Sequence, residues 1–238
     1  YMNMPGWLSL IIAIIVCTVL GVVIEGLAYK PLRNATSLAV LITAIGVSYF
    51  LQNSALLIWG ANPKVYSPLI SGTLKLFGDK LSISCISLLT VAACIIIMIG
   101  LTLFTSKSKM GKAMRACSED KGAAQLMGIN VNRTISVTFA IGSALAAIAG
   151  VLLCSAYPTL TNTTGSMPGI KAFTAAVFGG IGSIPGAFLG GILLGIIETF
   201  AKAYISTQLS NSIVFAVLII VLLVRPAGLL GKYVPEKV

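Results

Sequence analysis

The sequence predicts an all-α, polytopic membrane protein: a helical bundle of about six to seven membrane segments, since a hydrocarbon core of roughly 30 Å takes about 20 apolar residues per helix. Two observations carry this. Of the 238 residues, 57% are hydrophobic and only 9% charged, whereas a soluble domain carries about 25% charged residues to cover its surface. Apolar runs of span length recur along the chain, and the mean hydropathy is +1.01. The formal net charge of +10 then reads as lysines and arginines held on one side of a membrane. No aromatic-interleaved basic patch points to nucleic acid.

The whole chain, 1–238, reads as a single transmembrane domain. Its start, YMNMPGW, has no basic region before the first apolar run, so it reads as the beginning of a span rather than as a signal peptide. The first span is 8–24, followed by a polar stretch with Lys30 and Arg33. The second, 38–59, carries Thr43, Ser48, Gln52 and Asn53, polar groups that must face protein or a watery path rather than lipid. Residues 60–81 read as a loop of Pro, Gly and Ser with Lys64, Lys75, Asp79 and Lys80. The third span is 83–104 and the fourth 135–154, with a long polar loop, 105–134, between them. Gly142, Ala146 and Gly150 recur every four residues in the fourth, a small-residue ridge that lets another helix approach closely.

Residues 155–210 are glycine-rich and broken. A segment at 170–182 is too short to cross alone, and 186–204 follows after Pro185. This region enters, turns and leaves, as two crossings or as a re-entrant hairpin. Gly182, Gly186 and Gly190 lie four apart, which predicts a close-packed helix crossing in preference to a ligand loop. No GKS or GKT follows these glycines, so they are not a phosphate-binding loop. The last apolar core is 212–224, ending at Arg225-Pro226.

The run Lys107–Arg133 is the exception in an oily chain. It holds Lys107, Lys109, Lys112, Arg115, Lys121 and Arg133. A short amphipathic helix is predicted inside it. Ser118 suits its N-cap, Glu119 and Asp120 place negative charge where the helix dipole is positive, and Gly128 suits the left-handed residue that ends it. On a helical wheel Ala116, Ala123, Leu126 and Met127 share a face with Glu119, while Lys121 and Gln125 point away. That stripe needs a partner, either lipid headgroups or protein.

Charge bias sets the orientation. With Lys107–Arg133 inside, alternation puts Lys30 and Arg33 inside as well. Two crossings within 170–204 bring Arg225, Lys232 and Lys237 inside and leave Lys64, Lys75, Lys80 and Lys202 outside, with Lys171 near a boundary. The C-terminus is then cytoplasmic.

The chain has no histidine, so no Ser-His-Asp or Cys-His set can be built. Cys17, Cys85, Cys94, Cys117 and Cys154 form no CxxC pair and read as small buried hydrophobes, with no metal site. Glu198 has Lys202 four residues on, an i,i+4 pair. A proton-driven carrier usually needs a buried acid or histidine at the midplane, and this chain offers few. Its energy is therefore expected to come from a partner that contacts the polar loop. The alternative is a self-sufficient, gradient-driven carrier or channel, with any coupling ion held by backbone carbonyls.

The segment RACSEDKGAAQLMGINVNR resembles the coupling loop of the permease subunits of branched-chain amino acid ABC importers of the Liv type. IEGLAYKPLR, LITAIGVSYFLQN, GSALAAIAGVL, KAFTAAVFGGIGSIPGAFLGGILLGIIE and VLLVRPAGLLGK match in the same order over nearly all of the chain. The resemblance implies a non-enzymatic, multi-pass subunit of the bacterial plasma (inner) membrane that binds no cofactor itself. It also implies a second, homologous permease subunit, two ATP-binding subunits carrying ATP and Mg, and an extracytoplasmic amino-acid-binding protein. The short helix would be a cytoplasmic coupling helix seated in a cleft of the ATPase. Two departures are visible. Family members begin with further apolar helices before the point where this chain starts. They also have Glu-Arg where this chain has Glu25-Gly26, so a local charge pair is expected to be lost there.

For ATPase coupling the expected residues are Glu119, Asp120, Ala123, Ala124, Met127 and Gly128: acids for basic partners, small residues for close seating. For the substrate path they are Thr43, Gln52, Asn53, Phe173 and Thr174, polar or aromatic groups in apolar segments near breaks. Interhelical hydrogen bonding is the competing role for that second set. An oily path with a few polar contacts suits a zwitterionic amino acid with an apolar side chain.

Overall fold

The computed structural model describes residues 6–33, 35–66, 72–76 and 81–231. Asp79, Lys80, Lys232 and Lys237 lie outside the described residues. The chain was expected to form one domain, and it divides into two compact units: Tyr1–Ile96 with Leu103–Thr164, and Ile97–Thr102 with Gly165–Val238.

In the first unit, α1 (Gly6–Ile24) continues directly into a π-helical turn, Glu25–Tyr29. This helix outruns the predicted span by a turn and brings Glu25 into it. α2 (Ser37–Trp59) starts at Thr36, whose hydroxyl accepts from Ala39 N, and stops at Gly60 with φ +80°. α3 is Cys85–Lys107, of which Ile97–Thr102 is grouped with the second unit, α4 is Lys109–Glu119, α5 Lys121–Leu126 and α6 Val131–Ala156. The stretch 60–81, read as a plain loop, contains two short strands: β1 (Lys64–Val65) pairs antiparallel with β4 (Thr159–Leu160) after α6, and β2 (Thr73–Leu76) with β3 (Leu81–Ser84), which runs on into α3. The β1–β4 pairing ties the segment after α2 to the segment after α6, so both lie on one side of the unit.

α1 and α6 form the main helix pair of this unit. Gly21 of α1 is the point of closest approach: a Cβ there would meet Ser143 Cβ at 2.6 Å. Tyr29 and Phe139 extend the contact, with ring centroids 5.0 Å apart. The predicted ridge on α6 therefore does not face α1. Gly142 and Gly150 have nothing within 4 Å of a would-be Cβ, whereas Ser143 packs on Gly21 and Ala147 is buried. The small-residue period was right and the facing side is displaced by one residue, about 100° around the helix.

In the second unit, α7 (Ser166–Gly179) and α8 (Ile184–Tyr204) are joined by a tight turn, and α9 (Ser210–Val224) packs against both. α7 has 14 residues, so it is roughly 21 Å long, short of a full hydrocarbon core. Gly186 and Gly190 do make the predicted close crossing: Cβ atoms there would lie 2.5 Å from Gly179 O and 2.4 Å from Ala175 O. Gly182 does not take part. It has open space and φ +92°, so it serves the turn. Phe178, Leu194 and Val214 form the buried core of the unit. The segment after α9 folds back over this turn. Leu229 N and Leu230 N donate to Phe178 O and Gly179 O at 3.0 and 2.9 Å, capping carbonyls that the end of α7 leaves unpaired.

Five helices among the described residues are long and apolar enough to cross a membrane: Gly6–Tyr29, Leu38–Trp59, Cys85–Lys107, Val131–Ala156 and Ile184–Tyr204. The most apolar window of α2 buries none of its residues within the chain, and those of α1, α3 and α6 bury 6%. Such bare apolar faces need lipid or other subunits around them.

Candidate functional site

The polar segment between α3 and α6 is built from a series of local stops. α3 ends at Lys107, and Ser108 caps α4 by accepting from Gly111 N at 2.8 Å. Gly111 is required by the corner: a Cβ would sit 2.4 Å from Phe104 O. α4 ends at Glu119 because Asp120 takes an extended backbone, φ −152° and ψ 114°. Asp120 Oδ1 then accepts from Gly122 N at 2.7 Å and Ala123 N at 3.1 Å, starting α5. The cap is thus Asp120 rather than Ser118, whose hydroxyl donates to Arg115 O within α4. At the far end Gly128 has φ +80°. Gly128 N donates to Gln125 O and Ile129 N to Ala124 O, the paired bonds of a Schellman stop, as the glycine predicted. Asn130 Oδ1 accepts from Arg133 N at 3.1 Å and opens α6.

The break at Asp120 splits the stripe drawn on a single wheel, leaving Ala116 on α4. On α5 the faces are clear. Ala124 is buried at 4% exposure, while Leu126 and Met127 stand out at 91% and 82%. Glu119, Asp120, Ala123 and Gly128 are exposed beside them. Five of the six expected coupling residues therefore lie open around α5, and Ala124 seats the helix on its own chain. Lys121 and Gln125, expected to point away from the stripe, line a cavity of about 480 Å³ with Arg33, Asn130 and Asn132.

Directly behind this segment is a charged cluster that sequence reasoning missed. Glu25, only 2% exposed, accepts from Arg33 Nη2 on one carboxylate oxygen and from Ser136 Oγ at 2.7 Å on the other. Arg33 Nη1 also donates to Asn132 Oδ1. The local pair expected to be lost at Glu25-Gly26 is replaced by Arg33, eight residues on. The sequence signal was an acid at the end of an apolar run with an arginine just beyond it.

A family profile described as the permease component of the branched-chain amino acid transport system matches residues 1–223. The chain belongs to this family of permeases. It is 46% identical over 230 residues to the high-affinity branched-chain amino acid transport system permease protein BraD of Pseudomonas aeruginosa, covering 95% of this chain and 75% of BraD. It is 46% identical over 242 residues to LivH of Escherichia coli K12, covering 98% of this chain and 78% of LivH. LivH of Salmonella typhimurium is 47% identical over 231 residues, covering 95% and 74%. No solved structure matches the chain. Family and apolar helices together make it an integral membrane protein.

In this permease the residues chosen for the path fall on two helices. Thr43, Gln52 and Asn53 are on α2, Phe173 and Thr174 on α7. Thr43, Asn53 and Thr174 each donate to the carbonyl four residues back, at 2.8 Å, and Gln52 donates to Ser48 Oγ at 3.1 Å. These bonds are within one helix, not between helices, which is how isolated polar groups are tolerated on an apolar span. Thr174 is buried and Phe173 exposed. In the second unit the expected Glu198–Lys202 pair is present at 2.5 Å. Lys171 of α7 joins it, its Nζ 2.8 Å from the same Oε1. No cluster of His, Cys, Asp and Glu suited to a metal occurs among the described residues.

Proposed function

We propose that this permease is the membrane-spanning subunit of an ATP-driven importer for branched-chain or related apolar amino acids. It forms the substrate path together with a second, homologous permease subunit. Two ATP-binding subunits carry ATP and Mg and do the hydrolysis, and an extracytoplasmic binding protein delivers the amino acid. This chain binds no cofactor and catalyses no reaction of its own.

The observation that carries this reading is α5. Capped at both ends and seated by Ala124, it holds Leu126 and Met127 out of an otherwise polar loop. In water such exposure is costly, and a hydrophobic cleft on a partner would relieve it. Glu119 and Asp120 flank that edge and suit basic groups. Glu119, Asp120, Ala123, Met127 and Gly128 are the proposed contacts to the ATPase, with Ala124 fixing the helix beneath them. Thr43, Gln52, Asn53, Phe173 and Thr174 are the proposed path residues.

The location is the bacterial inner membrane with the C-terminus in the cytoplasm. Two observations support that orientation. Lys30 and Arg33 lie with the basic Lys107–Arg133 segment at the Glu25–Ser136 end of the first unit, opposite the β1–β4 pairing. In the second unit the turn between α7 and α8 adjoins the Arg225 segment, so α7 runs in to the cytoplasmic side, α8 runs back out, and α9 returns to that side.

The test is uptake of radiolabelled leucine into proteoliposomes holding this chain, its partner permease, the ATP-binding subunits and the binding protein. Uptake that needs ATP inside and the binding protein outside supports the reading. Uptake by this chain alone, driven by an ion gradient and indifferent to ATP, replaces it with the carrier.

A further inference from the structure

The cluster behind α5 has a place in the path of force. We propose that Glu25 and Arg33 are positioning residues that fasten the first turns of α6 to the cytoplasmic end of α1, so that a displacement of α5 is carried into the first span. This rests on the proposed function, in which ATP-binding subunits move α5.

Each link is a contact in the first unit. α5 cannot shift freely against α6, because only the Schellman stop at Gly128 and the Asn130 cap separate them. Asn132 and Ser136 follow within two turns of α6. Asn132 holds Arg33, Ser136 holds Glu25, and Arg33 spans the two. Glu25 begins the π-helical turn that ends α1, and Tyr29 of the same turn rests on Phe139. Further along, Gly21 and Ser143 lock the helices at close approach. The sequence from α5 to α1 is therefore continuous and has no loop longer than a helix cap in it.

Stability alone is a poor reason for such a cluster. A buried ion pair adds little over apolar residues of the same shape, because both charges lose their water. This one also leaves Arg33 Nε buried with no partner among the described residues, and a buried unpaired donor is itself costly. What the cluster provides is a single arrangement. Arg33 reaches two acceptors on two elements at once through a rigid planar fork, whereas an ammonium's donors rotate freely and fix no such geometry. A fastening of this kind moves α1 and α6 as one body.

The experiment uses the complete transporter in proteoliposomes and reads two quantities: ATP hydrolysed, and leucine imported per ATP. Glu25→Gln is expected to keep the ATP-binding subunits bound and hydrolysing, while leucine per ATP falls by about tenfold. Ser136→Ala, which removes the hydroxyl that Glu25 accepts from and no charge, is expected to lower the ratio by about threefold. Exchanging the charges in Glu25→Arg with Arg33→Glu is expected to recover part of the loss. An unchanged ratio in Glu25→Gln and Ser136→Ala overturns the proposal and leaves the proposed function standing. Loss of assembled transporter in Glu25→Gln with an unchanged ratio in Ser136→Ala assigns the cluster to folding and also overturns it. Failure of the parent to hydrolyse ATP or hold its ATPase is a different result, and it removes the proposed function itself.

Discussion

Glu25 and Ser136 are 111 residues apart in sequence and joined by a 2.7 Å hydrogen bond from the serine hydroxyl to the carboxylate. That bond, with Arg33 on the other carboxylate oxygen, makes the end of the first span and the start of α6 neighbours just behind the exposed helix α5.

Asp120→Ala removes the cap of α5 and is expected to destabilise that helix by about 1 kcal/mol. Ser118→Ala, which deletes the cap expected from sequence, changes the helix hardly at all, because its hydroxyl only back-bonds to Arg115. Hydrogen exchange at the amides of 124–129 distinguishes them: faster in Asp120→Ala, unchanged in Ser118→Ala.

Ala124→Leu forces a larger side chain into a site that is 4% exposed and is expected to cost about 1–3 kcal/mol. Met127→Asp changes a side chain that is 82% exposed and leaves the isolated chain's thermal midpoint nearly where it was. Thermal unfolding in detergent reads both.

Gly21→Ala pushes a methyl into Ser143 and is expected to separate α1 from α6 at a cost of about 1–3 kcal/mol. Adding Ser143→Gly restores most of it. Gly142→Ala meets nothing within 4 Å and leaves the midpoint of the isolated chain unchanged.

Glu198 is shared by Lys171 and Lys202. Glu198→Gln removes the carboxylate that ties Lys171 of α7 to α8 and is expected to loosen α7 from α8 by about 1–3 kcal/mol, as for a charge-assisted hydrogen bond lost. Lys202→Ala removes the i,i+4 arm, worth about 0.3–0.5 kcal/mol. Proteolysis of the α7–α8 turn, or thermal unfolding, orders the two variants.

The spans were legible because length and apolarity are local properties: the predicted 38–59, 83–104 and 186–204 each match a helix within a few residues. The close crossing at Gly186 and Gly190 was legible as well, since few other arrangements call for glycine every four residues in an apolar helix. Which side of a ridge packs was not. Gly142, Ala146 and Gly150 share their spacing with Ser143 and Ala147, and the choice was made by Gly21 on another helix. The cap of α5 went astray for a related reason. Ser118 and Asp120 both suit a cap, and α4 runs on through Ser118 until Asp120 takes an extended backbone. The Glu25 and Glu198 clusters draw on Ser136 and Lys171, 111 and 27 residues away, and no local rule reaches so far.

The central claim is that α5 docks an ATP-binding subunit, and the direct measurement is co-purification of those subunits with this chain from membranes. The comparison is with Glu119→Arg and Ala123→Arg combined, two exposed positions beside Leu126 and Met127. The ATP-binding subunits are expected to come with the parent and not with the double variant, while both chains stay folded and keep their partner permease. Equal recovery with both would contradict it.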